Sequence, residues 1–149
     1  MLLMSILISS TAFASDYEKV WYWENSAAPD IVVCEDSKTT IKIVNESVSF
    51  WKEKGYNFGS VYKNEKICKK TWHYGTVILR GSSGLDTEVY NAYTTPWFSN
   101  ASGNLVSAVI QVDTVVANEQ ELITHELGHA LGLGHVSNQS DVMYEYRNY

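Results

Sequence analysis

The sequence predicts one mixed α/β domain, an α+β fold in which a twisted sheet carries two helices, one N-terminal and one near the C-terminal end. Three observations predict it. Short β-branched runs alternate with two segments whose apolar residues recur every three or four positions. With 149 residues, 45% hydrophobic and 19% charged, the chain has enough apolar content for one core and too little length for two. No internal repeat or low-complexity segment interrupts it.

The first stretch, Met1 to Ala14, reads MLLMSILISSTAFA: an apolar run from Leu2 to Ile8, a polar stretch, then the small-x-small triplet Ala12-Phe13-Ala14. This is the pattern of a secretory signal cleaved before Ser15, although no Lys or Arg precedes the apolar run. Its alternative is a buried N-terminal strand. A signal at 1–14 leaves 15–149 as the mature domain, in a periplasm or outside the cell. The run is too short to span a bilayer, and no stable membrane insertion is expected. A net charge of -6 without a Lys/Arg cluster works against nucleic acid as a partner. A monomer is expected.

"PDIVVC", Pro29 to Cys34, is a β-branched run opened by proline and suits a buried strand. From Ser37 the period changes: Ile41, Val44, Val48 and Trp51 lie on one helical face, and Lys52, Lys54 and Gly55 supply a basic last turn and a stop. "TVILRG", Thr76 to Gly81, reads as a second strand, followed by a loop over Gly81 to Gly84. Glu88 to Thr95 alternates less cleanly and is ended by Pro96, a residue compatible with an edge strand. Turn residues from Ser99 to Asn104 lead into Leu105 to Asp113, a half-buried strand with Val106, Ala108, Ile110 and Val112 on one face and Ser107, Gln111 and Asp113 on the other. The second helix starts near Glu119, with Asn118 as its N-cap and Glu121 as the reciprocal partner.

The two cysteines, Cys34 and Cys68, form the natural disulfide pair of an exported chain; two buried thiols are the alternative. A bridge over that interval stabilises by roughly 3–4 kcal/mol on loop entropy. Neither cysteine has the CxxC spacing of a redox or zinc motif.

The second helix carries "HELGHALGLGH", His125 to His135. His125 and His129 stand one turn apart on one face, where two imidazoles can share a tetrahedral ion. Glu126 sits beside them, off the ligand axis, where it can take a proton from a water activated at the metal. A continuous helix would carry His135 about 9 Å beyond His129, so the chain must turn at Gly132, with Gly134 adding freedom. The competing interpretation is a glycine-rich packing helix with incidental histidines. The full HExxHxxGxxH pattern arises by chance at roughly 10⁻⁵ per chain of this length, which favours the metal.

Together with "SDVMY", Ser140 to Tyr144, the motif resembles the metzincin zinc peptidases. The resemblance implies His125, His129 and His135 as ligands of one catalytic zinc, Glu126 as general base, and Met143 as the floor of a methionine turn. The short interval from His135 to Met143, with tyrosine directly after methionine, is most similar to the matrixin branch. It implies a metzincin-like zincin fold; family members continue into a final helix, which is expected here to be short or absent because the sequence stops at Tyr149, the domain being either minimal or a truncated fragment. The likeness runs from about Leu105 to Tyr144, and elsewhere covers element order only. The implied activity is that of a secreted zinc endopeptidase acting on protein or peptide, with the edge strand near Glu88 to Thr95 aligning the substrate. Which of the two strands before the helix is the edge stays open in the sequence.

The pattern departs from the family at several points. Where other metzincin branches place a tyrosine near the metal, two positions after methionine, this chain has Glu145, and Tyr144 reads as a packing residue. Only His73 lies outside the motif, too little for a second, structural zinc. Cys34 lacks the surroundings of a latency cysteine. Asp86, Glu88 and Asp113 could offer oxygen to calcium but lack its dense spacing, and read as solvated surface. Tyr17, Trp21, Tyr22 and Trp23 allow carbohydrate contact, against the commoner role of packing. Two other functions remain: a zinc-stabilised binding protein without turnover, and a hydrolase of cell-wall peptide crosslinks.

Overall fold

The computed structural model describes residues 17–82 and 91–145. The signal expected at Met1 to Ala14, the calcium candidates Asp86 and Glu88, the first residues of the Glu88 to Thr95 segment, and the C-terminal end beyond Glu145 lie outside the described residues.

Five strands form one mixed sheet: β1 (Asp30–Val33), β2 (Val61–Tyr62), β3 (Thr76–Gly81), β4 (Ala92–Phe98) and β5 (Leu105–Val112), in the order β2-β1-β3-β5-β4. The pairs β1·β2, β1·β3 and β3·β5 are parallel, and β4 runs antiparallel to β5. Among the described residues three α-helices accompany the sheet: α1 (Ile41–Glu53), α2 (Glu65–Cys68) and α3 (Gln120–Ala130). The mixed α/β class expected from the sequence is the one observed.

The apolar runs of β1 and β3 follow from burial on both faces, as parallel strands require. On one face Ile31, Val33, Val77, Leu79, Ala108 and Ile110 join Trp51 of α1 and Leu127 of α3 in the main core. On the other, Val32, Ile78 and Val109 pack with Ile67 of α2 and with Cys34. The Cys34 and Cys68 sulfurs are bonded, with Cα atoms 5.7 Å apart, so the end of β1 is tied to α2.

This second cluster corrects the expectation of a half-buried β5. Its predicted polar face is covered too: Ser107 is fully buried, its hydroxyl donating to Thr76 O at 2.8 Å and accepting from His73 N at 3.3 Å. Two helix starts also differ. Ser37 belongs to a 3-10 turn over Glu35–Ser37, and α1 begins after Thr40, whose hydroxyl accepts from Ile43 N at 3.3 Å. Asn118 does not cap α3, which starts after Glu119 without a side-chain cap. Its amide instead accepts from Thr40 N and donates to Lys38 O, both at 3.1 Å, joining the approach to α3 to the start of α1.

Pro96 does not end its strand. β4 continues to Phe98 because among the described residues it is the outermost strand, bonded to β5 alone, and an outer strand tolerates a residue without an N–H. The edge left open by the sequence is therefore β4, and β5 lies inside. Among the described residues no helix is long and apolar enough to cross a membrane.

Candidate metal centre

Helix α3 packs on α1 and buries Ile123, Thr124 and Leu127. Trp51 Nε1 of α1 donates to Thr124 O at 2.8 Å, and the Thr124 and Ser47 hydroxyls meet at 2.8 Å. These bonds satisfy polar atoms that burial would otherwise strand. They also fix the rotation of α3, and with it the direction in which His125 and His129 point.

The helix ends in paired bonds, Gly132 N to His129 O at 2.8 Å and Leu133 N to Gly128 O at 3.1 Å, the double closure that requires a left-handed residue just past the helix. Gly132 supplies it with φ +89°, and a Cβ there would lie 2.2 Å from Trp21 O. Glycine is thus demanded twice, by conformation and by close approach. The turn brings His135 back to the two helical histidines. Its Nε2 and that of His125 each lie 3.0 Å from His129 Nε2.

The outer ring nitrogens explain the direction of the inner ones. His125 Nδ1 is 2.6 Å from Val142 O and His129 Nδ1 is 2.9 Å from Leu133 O. A carbonyl only accepts, so each Nδ1 carries the hydrogen and each neutral ring presents its lone pair at Nε2. His135 Nδ1 lies 4.0 Å from Glu145 Oε1. Tetrahedral coordination with Zn–N near 2.0–2.1 Å separates ligand nitrogens by about 3.3 Å. The observed spacing and the all-nitrogen donor set fit zinc. Burial, followed by the neighbouring His125, pushes the His129 imidazole down to about 4, so it is neutral at pH 7, the form that ligates.

Glu126 is buried beside these rings. Its Oε2 accepts a hydrogen bond of 2.6 Å from the Thr94 hydroxyl of β4. Burial pushes its carboxyl up to about 7, against the lowering effect of the Thr94 bond. Met143, fully buried, lies against α3 where Gly128 leaves room: a Cβ on Gly128 would come within 2.3 Å of Met143 Sδ and 2.6 Å of Trp51 Cζ2. Asp141 holds this turn, Oδ1 accepting from Met143 N at 2.8 Å and Oδ2 from Tyr17 Oη at 2.9 Å.

The structure therefore brings together His125, His129, His135, Glu126 and Met143. Among the described residues the three histidines are the converging group of potential metal ligands, their ligand atoms within 4.8 Å of one another. His73 stands apart with Lys70 Nζ 3.2 Å from its Nδ1, and Asp113 Oδ1 accepts from Val115 N in a turn. Tyr144 is half-buried and bridges Val136 through its backbone. Tyr17 and Trp23 are buried; Trp21 packs edge-on against Phe98, and Tyr22 is exposed. Thr94 and the carbonyls of Val142 and Leu133 had no signature in the sequence. Alternation places Thr94 on a face with Ala92, but nothing local says that this face meets α3.

Residues 13–149 match the sequence profile of the matrixins, peptidase M10. The archaemetzincin of Sulfolobus acidocaldarius is 27% identical over 111 residues, covering 67% of this chain and 61% of that protein. The crystal structure of metalloproteinase-II from Bacteroides fragilis aligns with a TM-score of 0.48 at 14% identity, over 87% of this chain and 51% of that one. The chain thus spans about half to three-fifths of the length of these two proteins. Since the matrixin match extends over nearly the whole sequence, the chain belongs to the matrixin family.

Proposed function

We propose that the chain is an exported zinc endopeptidase, acting as a monomer on protein or peptide substrates, with His125, His129 and His135 as ligands and Glu126 as general base. The observation that carries this is the convergence of three Nε2 atoms, with carbonyls holding Nδ1 of His125 and His129. Held there, zinc would supply Lewis acidity, which lowers the pKa of water and polarises a carbonyl. Glu126, raised toward neutrality by burial, takes a proton from the attacking water and returns it to the departing amine. Met143 forms the apolar floor. The outer edge of β4 offers backbone groups to which an extended peptide adds as a further strand. The Cys34–Cys68 bond and the signal-like pattern at 1–14 support export, since such bonds persist in oxidising compartments.

The test compares zinc content and cleavage of a quenched peptide library for the parent and Glu126→Ala, each with and without chelator. Near-stoichiometric zinc in both, with cleavage by the parent alone and abolished by chelator, is the expected result. Zinc in both with cleavage by neither would leave a binding protein instead. Cleavage restricted to peptidoglycan crosslinks would redirect the substrate.

A further inference from the structure

We propose that Thr94 is a positioning residue for Glu126, orienting the carboxylate so that one oxygen is committed and the other is free to face the reacting water. The inference rests on the peptidase role of Glu126 argued above. The Thr94 hydroxyl is 2.6 Å from Glu126 Oε2 and 3.2 Å from Glu126 O. It carries one hydrogen, and a carboxylate at the shorter distance is the stronger acceptor. A glutamate has three side-chain torsions, and a carboxylate anchored at one oxygen keeps little of that freedom. Anchoring before reaction is what general-base transfer needs, because the acceptor oxygen must stand within hydrogen-bond reach of the proton.

Thr94 is itself held from outside the helix. It pairs with Ile110 in the β4·β5 ladder, and the adjacent Tyr93 hydroxyl bonds Gln111 Oε1 across the same two strands. The anchor of the base therefore belongs to the edge strand on which the peptide is proposed to lie. A shift of β4 along β5 would move the carboxylate and the substrate backbone together. No residue on α3 could provide this link.

The experiment uses the zinc-loaded protein and compares Thr94→Val, which removes the hydroxyl at nearly constant volume, with Thr94→Ser, which keeps it. The expected result is a kcat about 10- to 100-fold lower for Thr94→Val, with KM and zinc content unchanged, and kcat recovered in Thr94→Ser. Thr94→Ala repeats the comparison if the valine variant fails to fold. Unchanged kcat in Thr94→Val overturns the proposal, and so does equal loss in valine and serine variants, which would assign the effect to packing at this position and not to the hydroxyl. A second readout needs no turnover: the Glu126 Cδ resonance in labelled protein, identified by its loss in Glu126→Gln, should shift in Thr94→Val and return in Thr94→Ser. If the parent protein cleaves nothing, the peptidase role fails separately. That resonance then decides alone, and its failure to move in Thr94→Val rejects the anchor.

Discussion

Glu126 and His129 have opposed effects on folding, and the signs follow from the direction in which burial moves each group. The Glu126 carboxyl is raised from 4.5 to about 7, so its contribution to stability is present below 4.5 and lost as pH rises through 7. His129 is lowered from 6.5 to about 4, so its contribution is present above 6.5 and lost as pH falls through 4. In metal-free protein Glu126→Gln should therefore gain stability relative to the parent as pH rises from 5 to 8, levelling at about 3 kcal/mol. His129 titrates in both proteins and cancels. Urea unfolding at the two pH values, in chelator, measures the difference, and a difference independent of pH would contradict the sign. Gly128→Ala should destabilise by about 1–3 kcal/mol through overpacking, because its Cβ meets Met143 Sδ and Trp51 Cζ2. Urea unfolding measures that loss. At this scale the sequence was legible wherever spacing along one helix decides geometry: His125, Glu126 and His129 are local, and Gly132 announces the turn that returns His135. Thr94 and Val142 were not legible, because they reach the site across the sheet and through a backbone carbonyl.

The element that orients the site is the α1·α3 pair, and its central member is Trp51, fully buried and bonded to Thr124 O. Trp51→Ala should lower stability by about 3–5 kcal/mol. Trp51→Phe keeps most of the ring but loses the hydrogen bond to Thr124 O, lowering stability by about 1 kcal/mol. Denaturant midpoints of the two variants test the order, and the phenylalanine variant proving the weaker would refute it. On the opposite face, α2 has a single turn and leans on the Cys34–Cys68 bond. Reduction should remove roughly 3–4 kcal/mol, read as a fall in thermal midpoint on adding reductant. The long elements could be read from the sequence because α1 repeats at the helical period, β1 and β3 are apolar runs, and β5 alternates. β2 has two residues and α2 four, too few for any period to register. Pro96 and Ser107 misled for one reason: whether a strand is outer or inner, and whether its second face is covered, is decided by the other strands and by α2. Asn118 read as a helix cap because its local pattern fits one, but the backbone at the start of α1 took its amide.

Across the whole molecule the site draws on segments far apart in sequence, and they are joined by few bonds. Residues before the first strand strap the exit of α3: Val20 N and Trp21 N donate to Gly132 O, Gly134 N donates to Glu18 O, and Trp23 Nε1 donates to Ala130 O. Val136 N donates to Met143 O, closing the methionine turn on the loop that bears His135. The interior strands β1, β3 and β5, by contrast, are continuously laddered and buried on both faces. Such an architecture divides into a stable sheet and a weaker wrap, and local opening follows weaker packing. His135 is the one proposed ligand outside α3, so the metal would join the wrap to the helix. Zinc at about a thousand times its Kd should add about 4 kcal/mol to stability, and the protection it confers should be uneven. Chelation is expected to raise amide exchange at residues 18–23 and 131–145 while leaving the amides of β1, β3 and β5 protected. Hydrogen exchange followed by mass spectrometry, with and without chelator, measures this. A uniform rise across sheet and wrap would show instead that the metal is coupled to global unfolding, and that the sheet does not stand without it.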